Sequence, residues 1–244
     1  MIKAYAKSDI GKHREINQDA YYISEPLDSI QLFILADGMG GYAGGEIASN
    51  LAIQSAKSYI ENNFKAIPKD KESILLLLAS SIEYANMVVY EKSKEVPELT
   101  GMGTTFEICI IYNNRAFIGH IGDSRIYRIR KDFMRKLTQD HSYVQKLVKE
   151  GTITDEQAVH HPQKNMLMKA LGCGVFVEPD LMIKNFIKDD ILIMATDGLT
   201  NLVAKEEIFV EARKNIDIAT RELVAKANGN GGLDNITVVI IKNI

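Results

Sequence analysis

Four aspartates share one setting in this sequence: each follows a short apolar run and has glycine or asparagine beside it. They are Asp37 in ADG, Asp123 in IGDS, Asp197 in TDG and Asp234 in LDN. Taken singly, an aspartate so placed reads as a turn or cap residue, because its side chain bonds nearby backbone N–H groups. Strand ends, however, are where a sheet scaffold brings distant sequence positions together. Carboxylates gathered there repel one another by on the order of several kcal/mol unless cations neutralise them. An all-oxygen donor set suits hard divalent ions such as Mg2+ or Mn2+ and does not suit zinc. The recurrence therefore favours a metal centre over four unrelated turns.

The stretch around the first of these, Leu32–Gly45, reads LFILADGMGGYAGG. Leu32 to Ala36 form the short apolar run of a buried strand. It ends in Asp37-Gly38, and Gly40, Gly41, Gly44 and Gly45 follow. A carboxylate at the end of a buried strand is costly without positive charge beside it. The glycines let the backbone approach an ion or phosphate closely, and their carbonyls can act as ligands. Upstream, the polar segment GKHREINQDA carries Arg14, Asn17, Gln18 and Asp19.

The remaining elements must position these residues. Short strands are expected at Ile2–Lys7 and Ala20–Ser24. Helices follow from about Glu46 to Asn63 and from about Ser73 to Lys94, each with apolar residues at helical spacing. After Pro97–Gly103 the pattern becomes a meander: Thr104–Tyr112, Arg115–Ile121, Ser124–Arg130 and Phe133–Leu137, with Asn113-Asn114 as a two-residue hairpin turn. Residues 142–170 read as mostly helical, and Thr154 with Gln157 makes a capping box. Ile191–Ala195 is another buried strand, two helices follow at about Lys205–Lys214 and Ile218–Asn228, and Ile236–Ile241 closes the chain. Meanders with paired long helices predict a layered α+β architecture instead of alternating βαβ units.

At 244 residues and 46% hydrophobic, the chain can fill one sizeable core, so a single domain over 1–244 is expected. A net charge of -3 points to neither nucleic acid nor an anionic membrane as partner. Cys109 and Cys173, far apart, suit a reducing cytosol better than a disulfide framework. The N-terminus lacks the apolar core of a signal peptide, and the longest aliphatic run, Ile74–Ala79, is too short to span a bilayer. A soluble, cytoplasmic, monomeric protein is the expectation.

Seven segments stand in a distinctive order: GKHREINQDA, LADGMGGYAGG, GMGTT, IGDSRIY, LTQDHS, ATDGL and LDNIT. Together they resemble the metal-dependent serine/threonine protein phosphatases, the type 2C or PPM family, in its bacterial form. The resemblance covers essentially the whole chain. It implies a four-layer α-β-β-α sandwich, with two antiparallel central sheets flanked by helix pairs and a helical flap at about 142–170. It implies two core ions, Mn2+ or Mg2+. Asp37 would bridge them, the Gly38 carbonyl would bind the second, and Asp197 and Asp234 would complete the first. Asp123, with Asp197, resembles the site of a weaker third ion. Arg14 matches the arginine that holds the substrate phosphate, and Asp19 a nearby acid that orders metal-bound water. The implied reaction is hydrolysis of phosphoserine and phosphothreonine on proteins by a water between two cations, opposing a cognate Ser/Thr kinase.

Two positions depart from the animal members: Met39 stands where they carry a histidine, and Gln18 where they carry a glutamate. Met39 cannot act as general acid, so the residues leave the proton donor unidentified; a metal-bound water at the Asp123 site is one candidate. The alternatives are a non-catalytic relative that binds phosphoproteins, which could dispense with a metal aspartate, and another hard-metal phosphohydrolase. An aspartyl-nucleophile enzyme would need D-x-D, and Met39 breaks that pattern. Cys109 and Arg115 have the C-x5-R spacing of cysteine phosphatases, yet the intervening IIYNN reads as strand and hairpin turn and offers no phosphate cradle. His160-His161 before Pro162 reads as a turn, His141 as structural, and Arg125 as an ion-pair partner.

Overall fold

The structure, a computed structural model, describes residues 1–25 and 30–244, without the side chains of residues 42 and 43. Two antiparallel sheets form its centre. One has the order β1 (Ile2–Asp9), β11 (Ile236–Asn243), β10 (Ile191–Ala195), β7 (Arg125–Arg130) and β8 (Phe133–Lys136). The other runs β2 (Asp19–Ile23), β3 (Gln31–Met39), β5 (Phe106–Tyr112), β6 (Arg115–Ile121) and β9 (Asp180–Asn185), with the short β4 (Gly103–Thr104) paired to the end of β3.

Strand periodicity sorts the apolar residues into three stacked cores. Phe33 and Leu35 of β3, Leu192 and Met194 of β10, and Val239 and Ile241 of β11 meet between the sheets. Leu32, Ile34 and Ala36 face the other way, onto α1 (Gly41–Asn63) and α2 (Lys71–Glu95). Ile191, Ile193 and Ala195 face α5 (Asp197–Thr200), α6 (Lys205–Ala212) and α7 (Ile216–Gly229). A strand covered on both faces has no polar side to show, which is why 32–36 and 191–195 are unbroken apolar runs. The result is the expected four-layer α-β-β-α sandwich.

Several local expectations change. Helix α1 begins at Gly41, earlier than Glu46, because its glycine-rich first turn packs against the end of β3. Only Tyr143–Lys149 (α3) and Asp155–Val159 (α4) are helical within 142–170. Gly151, at φ 72°, breaks the run after α3, and Thr154 restarts it with the expected capping box to Gln157. Strand β9 lies outside the strands expected from the sequence, since its mixed sequence DLMIKN is only partly buried at the sheet edge. Helix α2 is long and apolar enough by composition to cross a membrane, although no single aliphatic run in it is. Here it lies on a sheet, with Ile74, Leu78, Ile82, Ala85 and Val89 fully buried.

Candidate active site

Asp37 shares the parity of Phe33 and Leu35, so it falls on the inter-sheet face where β3 ends. Asp19 is its direct cross-strand partner on β2. The other sheet contributes Thr196, just past β10, and Thr237 on β11; their hydroxyls donate to Asp19 Oδ2 at 3.0 and 2.7 Å. Asp19 therefore ties the two sheets together at the end where they open. Its other oxygen, Oδ1, is buried without a partner.

The GTT segment fixes Asp37 from behind. Asp37 N–H donates to Thr105 Oγ1 at 3.0 Å, while Thr104 Oγ1 and Thr105 N–H both donate to the Asp37 carbonyl at 2.9 Å. The glycines of ADG and TDG are set by close approach of other chain segments. A Cβ on Gly38 would lie 2.0 Å from the Gly45 carbonyl oxygen, and one on Gly198 would lie 2.0 Å from that of Asn235. Any side chain there would push the adjoining aspartate out of place.

Asn235 pins the loop that carries Arg14. Its Oδ1 accepts from Gln18 N–H at 2.8 Å, and its Nδ2 donates to the Ile10 and Ile16 carbonyls. Arg14 leaves this loop and donates from Nη2 to Asp234 Oδ2 at 2.8 Å. Ser124 Oγ, next to Asp123, is 2.9 Å from Thr105 Oγ1. Arg125 donates to Asp140 Oδ2, the structural ion pair expected for it.

These elements enclose a cleft of about 440 Å³ lined by Arg14, Asp37, Gly38, Asp123, Asp197 and Asp234, together with Met39, Thr105, Asn165 and Leu167. Every expected site residue except Asp19 reaches this lining, and Asp19 lies buried beside Asp37. Asn165 and Leu167, from the stretch after α4, lie in the segment HPQKNMLMKALG of the expected flap, where no residue type singles them out. Thr105 ends the segment GMGTT and Asn235 stands in LDNIT, and neither residue type announces a role there.

Burial and mutual repulsion raise the carboxyls that gather at the cleft. Burial, then the charges of Asp19, Asp197, Asp123 and Asp234, hold the Asp37 carboxyl well above the usual range. Burial pushes Asp123 up to about 7, with Asp197 and Asp140 adding to it against Arg125. Asp197 is raised by burial and by Asp234, against the opposing pull of Arg125, a hydrogen bond with Asp37, and Arg14. Asp19 is also raised to about 7, by burial against its two threonine hydrogen bonds, with Asp197 and Asp234 adding. Among the described residues no three acidic, histidine or cysteine side chains close into a preformed cage. The carboxylates instead ring the cleft, and with the unpartnered Asp19 oxygen they form an all-oxygen set that fits hard divalent ions.

The competing features lie elsewhere. Cys109 is fully buried between the sheets, where burial pushes its thiol far up. Arg115 starts β6 after a tight turn in which Asn113 and Asn114 have φ 48° and 57°, the two positive values of a type I′ hairpin. No phosphate cradle exists there. His160 caps α4, and His161 Nδ1 accepts from Gln163 N–H in the following turn.

A family model described as Protein phosphatase 2C matches residues 11–222. The Serine/threonine phosphatase stp of Listeria innocua is 35% identical over 251 residues, which cover 99% of this chain and 96% of the relative. The solved structure of the S. agalactiae serine/threonine phosphatase superposes with a TM-score of 0.91 at 36% identity, covering 100% of both chains. The catalytic domain of the phosphatase PstP, solved in complex with two manganese ions, gives 0.87 at 33% identity over 99% of this chain and 97% of its own. With the motifs in order, the sandwich built as they imply and the acidic cleft at its open end, this chain belongs to the protein phosphatase 2C family.

Proposed function

We propose that this protein hydrolyses phosphoserine and phosphothreonine on proteins, with two core ions, Mn2+ or Mg2+, at Asp37, the Gly38 carbonyl, Asp197 and Asp234. A weaker third ion belongs at Asp123 with Asp197. The observation that carries this reading is the meeting of four carboxylates from separate strand ends, with one arginine, around a single cleft. The manganese-bound structure of PstP supports the choice of metal.

When bound, the ions supply a water of depressed pKa as nucleophile and positive charge against the phosphoryl oxygens. The chain's own residues do the rest. Arg14 is half-exposed at the mouth, where its planar fork can grip phosphate oxygens as they enter. The Asp234 carboxylate holds that guanidinium over the cleft beforehand. Asp19 offers a buried, fixed oxygen that can accept a hydrogen bond from water beside Asp37. Met39 contributes no proton, so the leaving alkoxide takes one from water in the cleft. Asn165 and Leu167 come from residues 142–170, which we read as a flap within a single domain and which help select substrate.

The physiological counterpart is a Ser/Thr kinase, whose phosphoprotein products are this enzyme's substrates. Free cysteines, one buried and one exposed, support a reducing cytoplasm as the site of action. Retention of every implied metal aspartate argues against a purely phosphoprotein-binding role. Steady-state assays on matched phosphoserine, phosphothreonine and phosphotyrosine peptides test the substrate class. Turnover of the first two is expected to exceed that of the third, and a preference for phosphotyrosine would overturn the assignment.

A further inference from the structure

Behind the cleft lies a buried charged pair that the reaction above does not use. Glu107 on β5 and His120 on β6 are direct cross-strand partners, and neither side chain is exposed to solvent. Their parity with Cys109 and Ile118 places both between the sheets, toward the end that carries Asp123. His120 Nδ1 is 2.5 Å from Glu107 Oε1, and its Nε2 is 2.8 Å from the Gln139 carbonyl. A carbonyl only accepts, so Nε2 carries a hydrogen, and the short Nδ1 contact holds one more proton between ring and carboxylate. Burial raises the Glu107 carboxyl. Burial opposes charge on His120 as well, but the Glu107 carboxylate and the Gln139 carbonyl outweigh it and hold the ring above its ordinary value. The second Glu107 oxygen has no partner.

The His120 ring stacks on that of His141, with centroids 4.6 Å apart. His141 Nδ1 accepts from Gly122 N–H at 3.2 Å, which requires that nitrogen to be unprotonated. Its Nε2 faces Asp180 Oδ2 at 3.3 Å. The His141 backbone also joins two parts of the site. Its N–H donates to the Gly122 carbonyl and its own carbonyl accepts from Met168 N–H, both at 2.7 Å. Gly122 precedes Asp123, and Met168 follows the cleft residue Leu167.

Resting on the phosphatase reading above, we propose that Glu107 is a positioning residue for the reaction. Through a charged His120 it keeps His141 neutral, so that Nδ1 goes on accepting from Gly122 N–H and the ring, beside the backbone bonds of His141, fixes the Asp123 turn at the cleft. An imidazolium beneath the His141 ring disfavours a second charge there, and burial does so too. The other charged groups facing this cluster are Asp123, Asp140, Asp180 and Lys169, with Arg125 bound to Asp140. Asp180, which is half-exposed, favours charge on both rings.

Nitrogen-15 NMR of the histidine rings tests this without reference to turnover. In the wild-type protein His120 is expected to be protonated on both nitrogens between pH 6 and 8, with His141 neutral and its hydrogen on Nε2. A neutral His120 at pH 7 would overturn the proposal, and this measurement needs no variant to fold. In Glu107→Gln the titration of His141 is expected to rise by about one pH unit or more, as the neighbouring charge is lost. The acid limb of kcat should move up with it, and KM should stay unchanged. Loss of activity equal at all pH values, with His141 titrating as before, would show a packing role only and overturn the proposal. A protein with the expected ring behaviour but no phosphatase turnover would instead count against the proposed function.

Discussion

Arg14 Nη2 and Asp234 Oδ2 lie 2.8 Å apart at the mouth of the cleft, although 220 residues separate them in the chain. The arginine is thus poised over the acidic ring before any phosphate arrives, held by one of the carboxylates expected to bind metal. Both side chains are partly exposed, at 48% and 36%, so the pair itself adds little to stability.

Arg14→Ala is therefore expected to leave the melting temperature nearly unchanged and to act on substrate. A lost charge-assisted hydrogen bond to phosphate corresponds to a ~10-fold or larger rise in KM, with a smaller fall in kcat. Steady-state kinetics on a phosphothreonine peptide would show it. Unchanged KM and kcat would mean that another group grips the phosphate.

Asp37→Asn removes the carboxylate that faces four others. Turnover should fall by ~100-fold or more, the scale seen when a charge-stabilising group leaves a preorganised site. The melting temperature of the chelator-treated variant should equal or exceed that of the wild type, because repulsion is relieved. Near-normal turnover would remove Asp37 from the centre of the mechanism.

The raised carboxyls make stability depend on pH in a definite direction. Burial pushes Asp19 and Asp123 up to about 7 in the fold, from an ordinary value of 3.8. Between those values the native state binds more protons, so their contribution is greatest below about pH 4 and is lost as pH rises through about 7. Chelator-treated protein should accordingly melt at a higher temperature at pH 5.5 than at pH 8, and Asp19→Asn should flatten that slope. A melting temperature that rises steadily toward pH 8 in the stripped protein would contradict the electrostatic picture.

The pattern of apolar runs ending in Asp-Gly made both the sandwich and its acidic end legible in the sequence. Runs 32–36 and 191–195 are unbroken because both their faces are covered, and their terminal aspartates are where the sheets open. Three-dimensional pairings were not legible. Nothing local in GKHRE says that Arg14 will meet Asp234. Glu107 looks like a polar residue on a half-exposed strand until His120 is seen directly opposite it. Residues 142–170 misled in the other direction, since helix-forming residues there are divided by Gly151 and Pro162 and are held by pairing of Ser142 with Leu167. Strand β9 gave no periodic signal because an edge position tolerates charged Asp180 and Lys184.

Cys109→Ser separates fold from chemistry. The thiol packs in the inter-sheet core with no exposure, so a hydroxyl in its place should cost about 1–3 kcal/mol of stability. The rate at a temperature where the variant is folded should match the wild type. A folded but inactive variant would restore the cysteine as a nucleophile.

The central claim, that hydrolysis depends on divalent ions held by the carboxylate ring, has one direct measurement. The purified enzyme is stripped with a chelator, its rate on a phosphothreonine peptide is recorded, and Mn2+ or Mg2+ is then added back in excess. The account predicts loss of turnover on stripping and recovery on addition, with Asp37→Asn failing to recover under the same conditions. Turnover that persists through chelation would contradict it.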